Sequence, residues 1–270
     1  METIVSPTSV DVDLHWEAKD AGRAVLLVPG TPGDGGQFAA LADELSADHL
    51  VVTYDRRGTS RSAAPAGWSQ TSVAEQAEDA AAVLSGVGVR AATVFGTSNG
   101  AMVTLELALR HPERVRLAVL HEMPLLSVVA EPAPVVAAIQ AVIGAAMERG
   151  GTRAALDAFL RFAFGDAVVD AWPPELSERM LANADMVFSV EMPAFQSYRP
   201  DEAALGQCRA AVAVLVGEEQ QAPFFAEAAR WLADRLVTTV RPAPGAHGPY
   251  FTSPERLAAC LRDLETSPAG

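Results

Sequence analysis

The pentapeptide Gly96-Thr97-Ser98-Asn99-Gly100 lies between an apolar, strand-like run, Ala91-Ala92-Thr93-Val94-Phe95, and a helix-like segment from Ala101 to Arg110. A chain that passes from strand to helix in so few residues must turn sharply, and the serine at the apex is held in a strained backbone conformation. Glycines two residues before and two after it avoid the clashes that a Cβ would make. The Gly-x-Ser-x-Gly spacing therefore constrains fold and chemistry together. It lifts the Ser98 hydroxyl above a sheet edge, at the start of a helix whose N-terminal amides favour negative charge.

Around this turn, short apolar runs alternate with helical patterns, which predicts an α/β fold: a mostly parallel sheet flanked by helices on both faces. Strands are expected at 10–16, 24–28, 50–54, 91–95, 117–121, 211–216 and 237–241, and helices at 37–46, 72–84, 99–110, 225–236 and 254–264. The stretch 122–207 breaks the alternation. It has no convincing β-run, it reads as helices (134–149 and 153–164 among them), and prolines punctuate it. The expected organisation is a core of 1–121 and 208–270 with 122–207 inserted as a helical cap over the site.

Bulk properties exclude several classes. The 270 residues carry 34 acidic against 20 basic side chains, a formal charge of −14, which argues against nucleic acid or an anionic membrane as partner. No stretch resembles a transmembrane span. The opening METIVSPTSVDVDLHW lacks the basic start and apolar core of a signal peptide, so a cytoplasmic location is expected. Cys208 and Cys260 make no metal-ligand pattern and suit a reducing compartment. No metal or organic cofactor is implied, the partner is a small apolar substrate, and homo-oligomerisation stays open.

A serine nucleophile needs a base, an acid that orients the base, and donors for an oxyanion. The base candidate is His247, in Pro244-Gly245-Ala246-His247-Gly248-Pro249 after the last expected strand. His15, His49 and His111 read as structural. His121 ends a strand beside Glu122 and is a candidate for the pocket wall.

Four motifs in order, Gly30-Thr31-Pro32-Gly33, Tyr54-Asp55-Arg56-Arg57-Gly58-Thr59-Ser60-Arg61-Ser62, the Ser98 turn, and Pro244-Gly245-Ala246-His247-Gly248, resemble the capped α/β-hydrolase superfamily. The resemblance covers nearly the whole chain outside 122–207. It implies that the backbone N–H groups of Thr31 and Asn99 form an oxyanion hole, and that Asp55-Arg56-Arg57 braces loops around it. Pro29 stands where that family usually has a histidine; the hole uses backbone groups, so this changes how the loop is braced rather than whether it forms.

The acid departs from the commonest pattern. In many relatives an aspartate lies three residues past a glycine after the penultimate strand, which here is Gln220 in Gly217-Glu218-Glu219-Gln220. A neutral amide cannot stabilise an imidazolium as a carboxylate does. Either Glu218 or Glu219 reaches the histidine, or the acid has moved to Glu122, after the strand that follows the turn helix, or there is no working acid. Some haloalkane dehalogenases, similar in fold, carry theirs at the end of that same strand.

Relatives that open epoxides or displace halide use aspartate as nucleophile, whereas a serine attacks an activated acyl carbon. The leading expectation is a serine hydrolase that cleaves a moderately apolar ester, lactone or thioester through an acyl-enzyme, with Ser98, His247 and Glu122 as its triad. His121, Met123, Phe162, Trp172 and Met192 are candidate pocket residues. The alternatives are a non-hydrolytic lyase or cyclase on the same scaffold, and a ligand-binding pseudoenzyme, which Gln220 keeps open.

Overall fold

A computed structural model describes residues 13–266. In chain order, the elements before the long insertion are β1 (Trp16–Lys19), β2 (Arg23–Val28), α1 (Ala39–Leu45), β3 (His49–Tyr54), α2 (Val73–Gly86), β4 (Ala92–Thr97), α3 (Asn99–Arg110) and β5 (Val115–His121). Then come α4 (Ala133–Phe164), α5 (Asp166–Asp170), α6 (Pro174–Ala182), α7 (Ala184–Met186), a π-helical turn (Val187–Glu191), α8 (Met192–Gln196) and α9 (Glu202–Leu205). The chain closes with β6 (Ala211–Gly217), α10 (Pro223–Leu236), β7 (Val240–Ala243), α11 (Pro249–Thr252) and α12 (Pro254–Thr266).

Among the described residues, seven strands form one sheet in the order β1-β3-β2-β4-β5-β6-β7, and only β1 runs antiparallel to its neighbour. The central strands β2 (RAVLLV) and β4 (ATVFGT) are almost wholly buried. That is the continuous apolar pattern of strands covered on both faces, not the alternation of a one-sided sheet. One face packs on α2, α3 and α10 through Val83, Leu105 and Leu232; the other packs on α1 and α12 through Leu41, Leu45, Leu257 and Leu261. At α2 the sequence Ser72-Val73-Ala74-Glu75 starts the helix, the Ser72 hydroxyl accepting from the Glu75 N–H at 3.0 Å.

Two expected strands are displaced. Of 10–16, residues 10–12 lie outside the described residues, and the strand that forms is Trp16–Lys19. It pairs from Trp16↔Tyr54 to Lys19↔Val51 at the sheet edge, where Glu17 and Lys19 can face solvent, so no apolar run marks it. The last strand begins at Val240 instead of 237, because Val237 ends α10 in the left-handed region at φ 53° and is exposed. The connector takes up the three residues assigned to the strand.

Strand order reverses between β2 and β4, which lie side by side while their outer neighbours differ. The crevice at such a switch point, beyond the carboxyl ends of the strands, is where a fold of this type accommodates ligands. The loop 29–36 leaves β2 there and Ser98 leaves β4. In the 122–207 stretch, α4 is two helices joined across non-helical Gly150 and Gly151, matching 134–149 and 153–164. Leu156, Leu160, Trp172, Met180 and Val187 form a small core of their own, whereas Met123, Leu125, Phe195 and Leu205 belong to the core on the sheet.

Candidate active site

Ser98 occupies φ 53°, ψ −128°, a conformation that L-residues rarely adopt, between β4 and α3. Close packing, more than flexibility, accounts for the flanking glycines. A Cβ on Gly96 would stand 2.2 Å from Thr104 Oγ1, and one on Gly100 would stand 2.3 Å from the Val28 carbonyl oxygen. The Ser98 N–H donates to the His121 carbonyl at 2.9 Å, and the Glu122 N–H donates to that of Leu215 at 3.0 Å. These bonds continue the parallel ladder past the strand ends and bring the segments after β4, β5 and β6 together on one edge.

His247 and Glu122 meet there. Nδ1 of His247 lies 2.6 Å from Oε2 of Glu122, although 125 residues separate them. Glu122 is 1% exposed, at φ 45°, and its other oxygen accepts from the Gly217 N–H at 3.0 Å. Gln220 donates its side-chain N–H to the same Oε2 at 2.7 Å and accepts from the Ala222 N–H at 2.8 Å. Burial pushes the Glu122 carboxyl up, but the hydrogen bond with His247 and the positive charge available from His121 and His247 hold it down at about 2. With Glu122 ionised, Nδ1 carries the hydrogen and Nε2 is left as the basic nitrogen. Glu218 pairs instead with Arg256 at 2.6 Å on the exposed surface, and Glu219 is exposed.

The imidazole of His247 is walled by rings: Phe225 at 5.1 Å, Phe164 at 5.4 Å and His121 at 6.4 Å between centroids. His121 is wholly buried behind it, held by Thr97 Oγ1 at 3.0 Å, and burial pushes its ring down to about 4, which keeps it neutral near pH 7.

Ser98, His247, Thr31 and Asn99 line one cavity of 470 Å³, which Pro134, Ile139, Phe159, Phe162 and Phe164 of the inserted segment and Phe224 of α10 close with apolar surface. A second cavity of 210 Å³ shares the walls Asn99, Pro124, Ile139 and Phe159 and extends along Met102, Met192, Phe195 and Tyr198. Of the expected pocket residues, Phe162 lines the first and Met192 the second. His121 is sealed behind His247, Met123 is buried in the sheet core, and Trp172 is buried within the inserted segment against Phe164 and Phe251. These three do not reach the cavities: aromatic and sulfur-bearing side chains carry the packing of both cores. Ser98 Oγ makes no hydrogen bond among the described residues.

The loop after β2 is closed by Gly33 N–H to Gly30 O at 2.7 Å and is pinned from several sides. Asp55 accepts from the Gly35 N–H at 2.8 Å, and Arg56 donates to the Gly30 carbonyl at 3.2 Å; Arg57 turns away to Asp79 at 2.5 Å on α2. The inserted segment also holds the loop: Arg179 donates to Asp34 at 2.9 Å and Asn183 to the Pro32 carbonyl at 3.0 Å. The backbone N–H groups of Thr31 and Asn99 have no acceptor among the described residues, and that of Asn99 is one of the unpaired amides at the start of α3. Two participants escaped the sequence reading: Gln220 as a donor to Glu122, and Glu191, whose carboxylate meets Thr31 and Arg56. The signal for Glu191 was its place on one helical face with Val187 and Phe195, both buried.

Among the described residues no helix is long and apolar enough to cross a membrane, and no group of three or more His, Cys, Asp or Glu is placed to hold a metal ion. Comparison with known proteins bears on this arrangement. The chain is 39% identical over 114 residues to the uncharacterized hydrolase YraK of Bacillus subtilis, 42% of each chain. It is 32% identical over 125 residues to the zearalenone hydrolase of Bionectria ochroleuca, 45% of this chain and 47% of that one. The matched stretches thus span less than half the length of these curated relatives. A thermophilic esterase from Thermogutta terrifontis superposes with a TM-score of 0.73 over 95% of both chains at 19% identity, a likeness of fold. Residues 23–160, just over half the chain, match the family described as alpha/beta hydrolase fold. With its sheet order, its strained serine at the switch point and that match, the chain belongs to the α/β-hydrolase fold family.

Proposed function

We propose that this chain is a serine hydrolase that cleaves an ester-type bond, in an ester, lactone or thioester of moderately apolar character, through an acyl-enzyme. The observation that carries the reading is the 2.6 Å contact between Glu122 and His247 Nδ1, made by a histidine that shares a cavity wall with Ser98. The names of the relatives, hydrolases both, support the reaction class.

In this reading Ser98 Oγ attacks the acyl carbon while His247 Nε2 takes its proton. The tetrahedral oxyanion lies against the free N–H groups of Thr31 and Asn99. Glu122, ionised and buried, stabilises the imidazolium without itself becoming protonated. His247 then passes the proton to the leaving oxygen or sulfur as the bond to the acyl carbon breaks. Water, deprotonated by the same nitrogen, attacks the acyl-enzyme, and the carboxylic acid leaves as Ser98 recovers its proton. Residues 122–207 act as a cap that supplies the apolar walls and excludes water around the reacting atoms.

Gln220 was the ground for a binding protein without chemistry; with a carboxylate against His247 from another strand, that ground no longer favours it. The test is labelling by a fluorophosphonate probe together with turnover of p-nitrophenyl esters in 18O-water. The expected result is a single adduct on Ser98 and one 18O in the released acid. An unlabelled Ser98, or a product isomeric with the substrate, overturns the hydrolase reading.

A further inference from the structure

Glu191 is a wholly buried carboxylate that the inserted segment carries into the site. It closes the π-helical turn Val187–Glu191, just before Pro193, which has no N–H to continue a regular α-turn. Its Oε1 accepts from Arg56 Nη2 at 2.7 Å and from the Thr31 hydroxyl. That hydroxyl in turn accepts from the Asn99 side-chain amide at 2.8 Å. Among the described residues the second oxygen, Oε2, has no hydrogen-bond partner, and neither has Arg56 Nε.

A buried ion pair with unmet hydrogen-bonding capacity is a poor source of stability, and two apolar side chains in place of Arg56 and Glu191 would pack without its desolvation cost. What the carboxylate adds is direction. Thr31 and Asn99 are the two residues whose backbone N–H groups face the proposed oxyanion. Their side chains are tied to each other, and through Thr31 to Glu191. A carboxylate alone there would repel an oxyanion, and Arg56, which also holds the Gly30 carbonyl, offsets its charge.

We propose that Glu191 is a positioning residue for the oxyanion hole: it fixes Thr31, and through it Asn99, so that both backbone donors converge on the transition-state oxygen only when the inserted segment is seated. This rests on the serine-hydrolase reading. It makes the segment that walls the substrate cavity also the element that completes the catalytic donors.

The test uses the full chain, p-nitrophenyl butyrate as substrate and phenylboronic acid as a probe that forms a tetrahedral adduct on the nucleophile. Glu191→Ala is expected to lower kcat roughly a hundredfold, the scale of losing one oxyanion donor, with KM within about twofold. Affinity for the boronate falls in parallel, since only the tetrahedral form uses the hole. Glu191→Gln keeps an acceptor for Thr31 and recovers at least about tenfold of that loss. Thr31→Val cuts the same link without touching the buried ion pair, and is expected to match Glu191→Ala; the double variant is no slower than either single one. If Glu191→Ala does not fold, Thr31→Val alone decides. Unchanged kcat and boronate affinity in Thr31→Val, a rise in KM alone, or independent effects of the two substitutions overturns the proposal. Wild-type Ser98 that takes no fluorophosphonate overturns it together with the hydrolase reading; labelled wild type with unaffected variants overturns the positioning role alone.

Discussion

The side-chain amide of Gln220 donates to the carboxylate of Glu122 at 2.7 Å, on the same oxygen that lies 2.6 Å from His247. Gln220, at the position where many members of the resembled superfamily carry an aspartate, is thus a hydrogen-bond donor to a carboxylate that extends from the end of the neighbouring strand. β5 and β6 are adjacent and parallel, with His121 level with Leu215, so their carboxyl ends open on one edge and a group from either can approach the same ring nitrogen. Gly217 completes the arrangement: a Cβ there would stand 2.8 Å from Glu122 Oε1 and 2.5 Å from the Gly245 carbonyl oxygen.

A reciprocal exchange tests this pairing. Glu122→Gln removes the charge and is expected to lower kcat by roughly a hundredfold or more, the scale of neutralising a triad acid. Adding Gln220→Asp to that variant returns a carboxylate to the same edge and recovers at least about tenfold. Gln220→Asp alone sets two carboxylates against each other and is expected to lower kcat, because one of them must take up a proton. Steady-state kinetics of the four proteins decides; a double variant no faster than Glu122→Gln would show that the amide position cannot address His247.

Ser98→Ala is expected to leave the fold intact and to lower ester turnover by several orders of magnitude. Glu218→Gln and Glu219→Gln are expected to change kcat less than about twofold, since exposed carboxylates contribute little. Circular dichroism checks the fold and p-nitrophenyl butyrate the activity. Turnover near normal in Ser98→Ala excludes the nucleophile role.

His121 predicts a pH dependence of stability. Its folded-state pKa is lowered from 6.5 to about 4, chiefly by burial, so between those values the unfolded chain binds a proton that the native chain does not. Stability from this residue is present above pH 6.5 and is lost as pH falls toward 4, by an amount on the order of 3 kcal/mol. In urea unfolding from pH 7.5 to 4.5, the stability of the wild type is expected to fall faster than that of His121→Asn. Parallel curves would mean that the buried ring does not titrate as its surroundings require.

What the chain discloses before folding follows from the range of the physics involved. The Ser98 turn, the central strands and α3 are legible because local sterics and continuous apolar runs specify them. His247 is legible as the one histidine in a glycine-flanked loop after the last strand. Glu122 was one of several acids that could serve, because spacing in sequence carries no distance across 125 residues; the ladder between β5 and β6 sets that. Glu191 was invisible as a partner of Thr31, which lies 160 residues away. Trp172 and Met123 look like pocket residues for the same reason that they are not: large apolar side chains fill cores as readily as they line cavities.

That ambiguity gives a prediction with two arms. Met192 lines the 210 Å³ cavity that continues from the serine, whereas Trp172 is 7% exposed in the small core of the inserted segment. Met192→Trp fills the cavity and is expected to reduce turnover of p-nitrophenyl octanoate relative to the acetate by roughly tenfold, the scale of about one methylene excluded from an apolar site. The melting temperature and the rate of fluorophosphonate labelling stay near wild type, because the small probe does not need that space. Trp172→Ala leaves a void among Phe164, Phe251 and their neighbours and is expected to cost about 3–5 kcal/mol of stability, read as a lower urea midpoint. Its ratio of octanoate to acetate turnover stays unchanged. The opposite outcome, chain-length preference moving with Trp172 and stability with Met192, would exchange the two residues' assignments and place the acyl chain beneath the inserted segment instead of along Asn99.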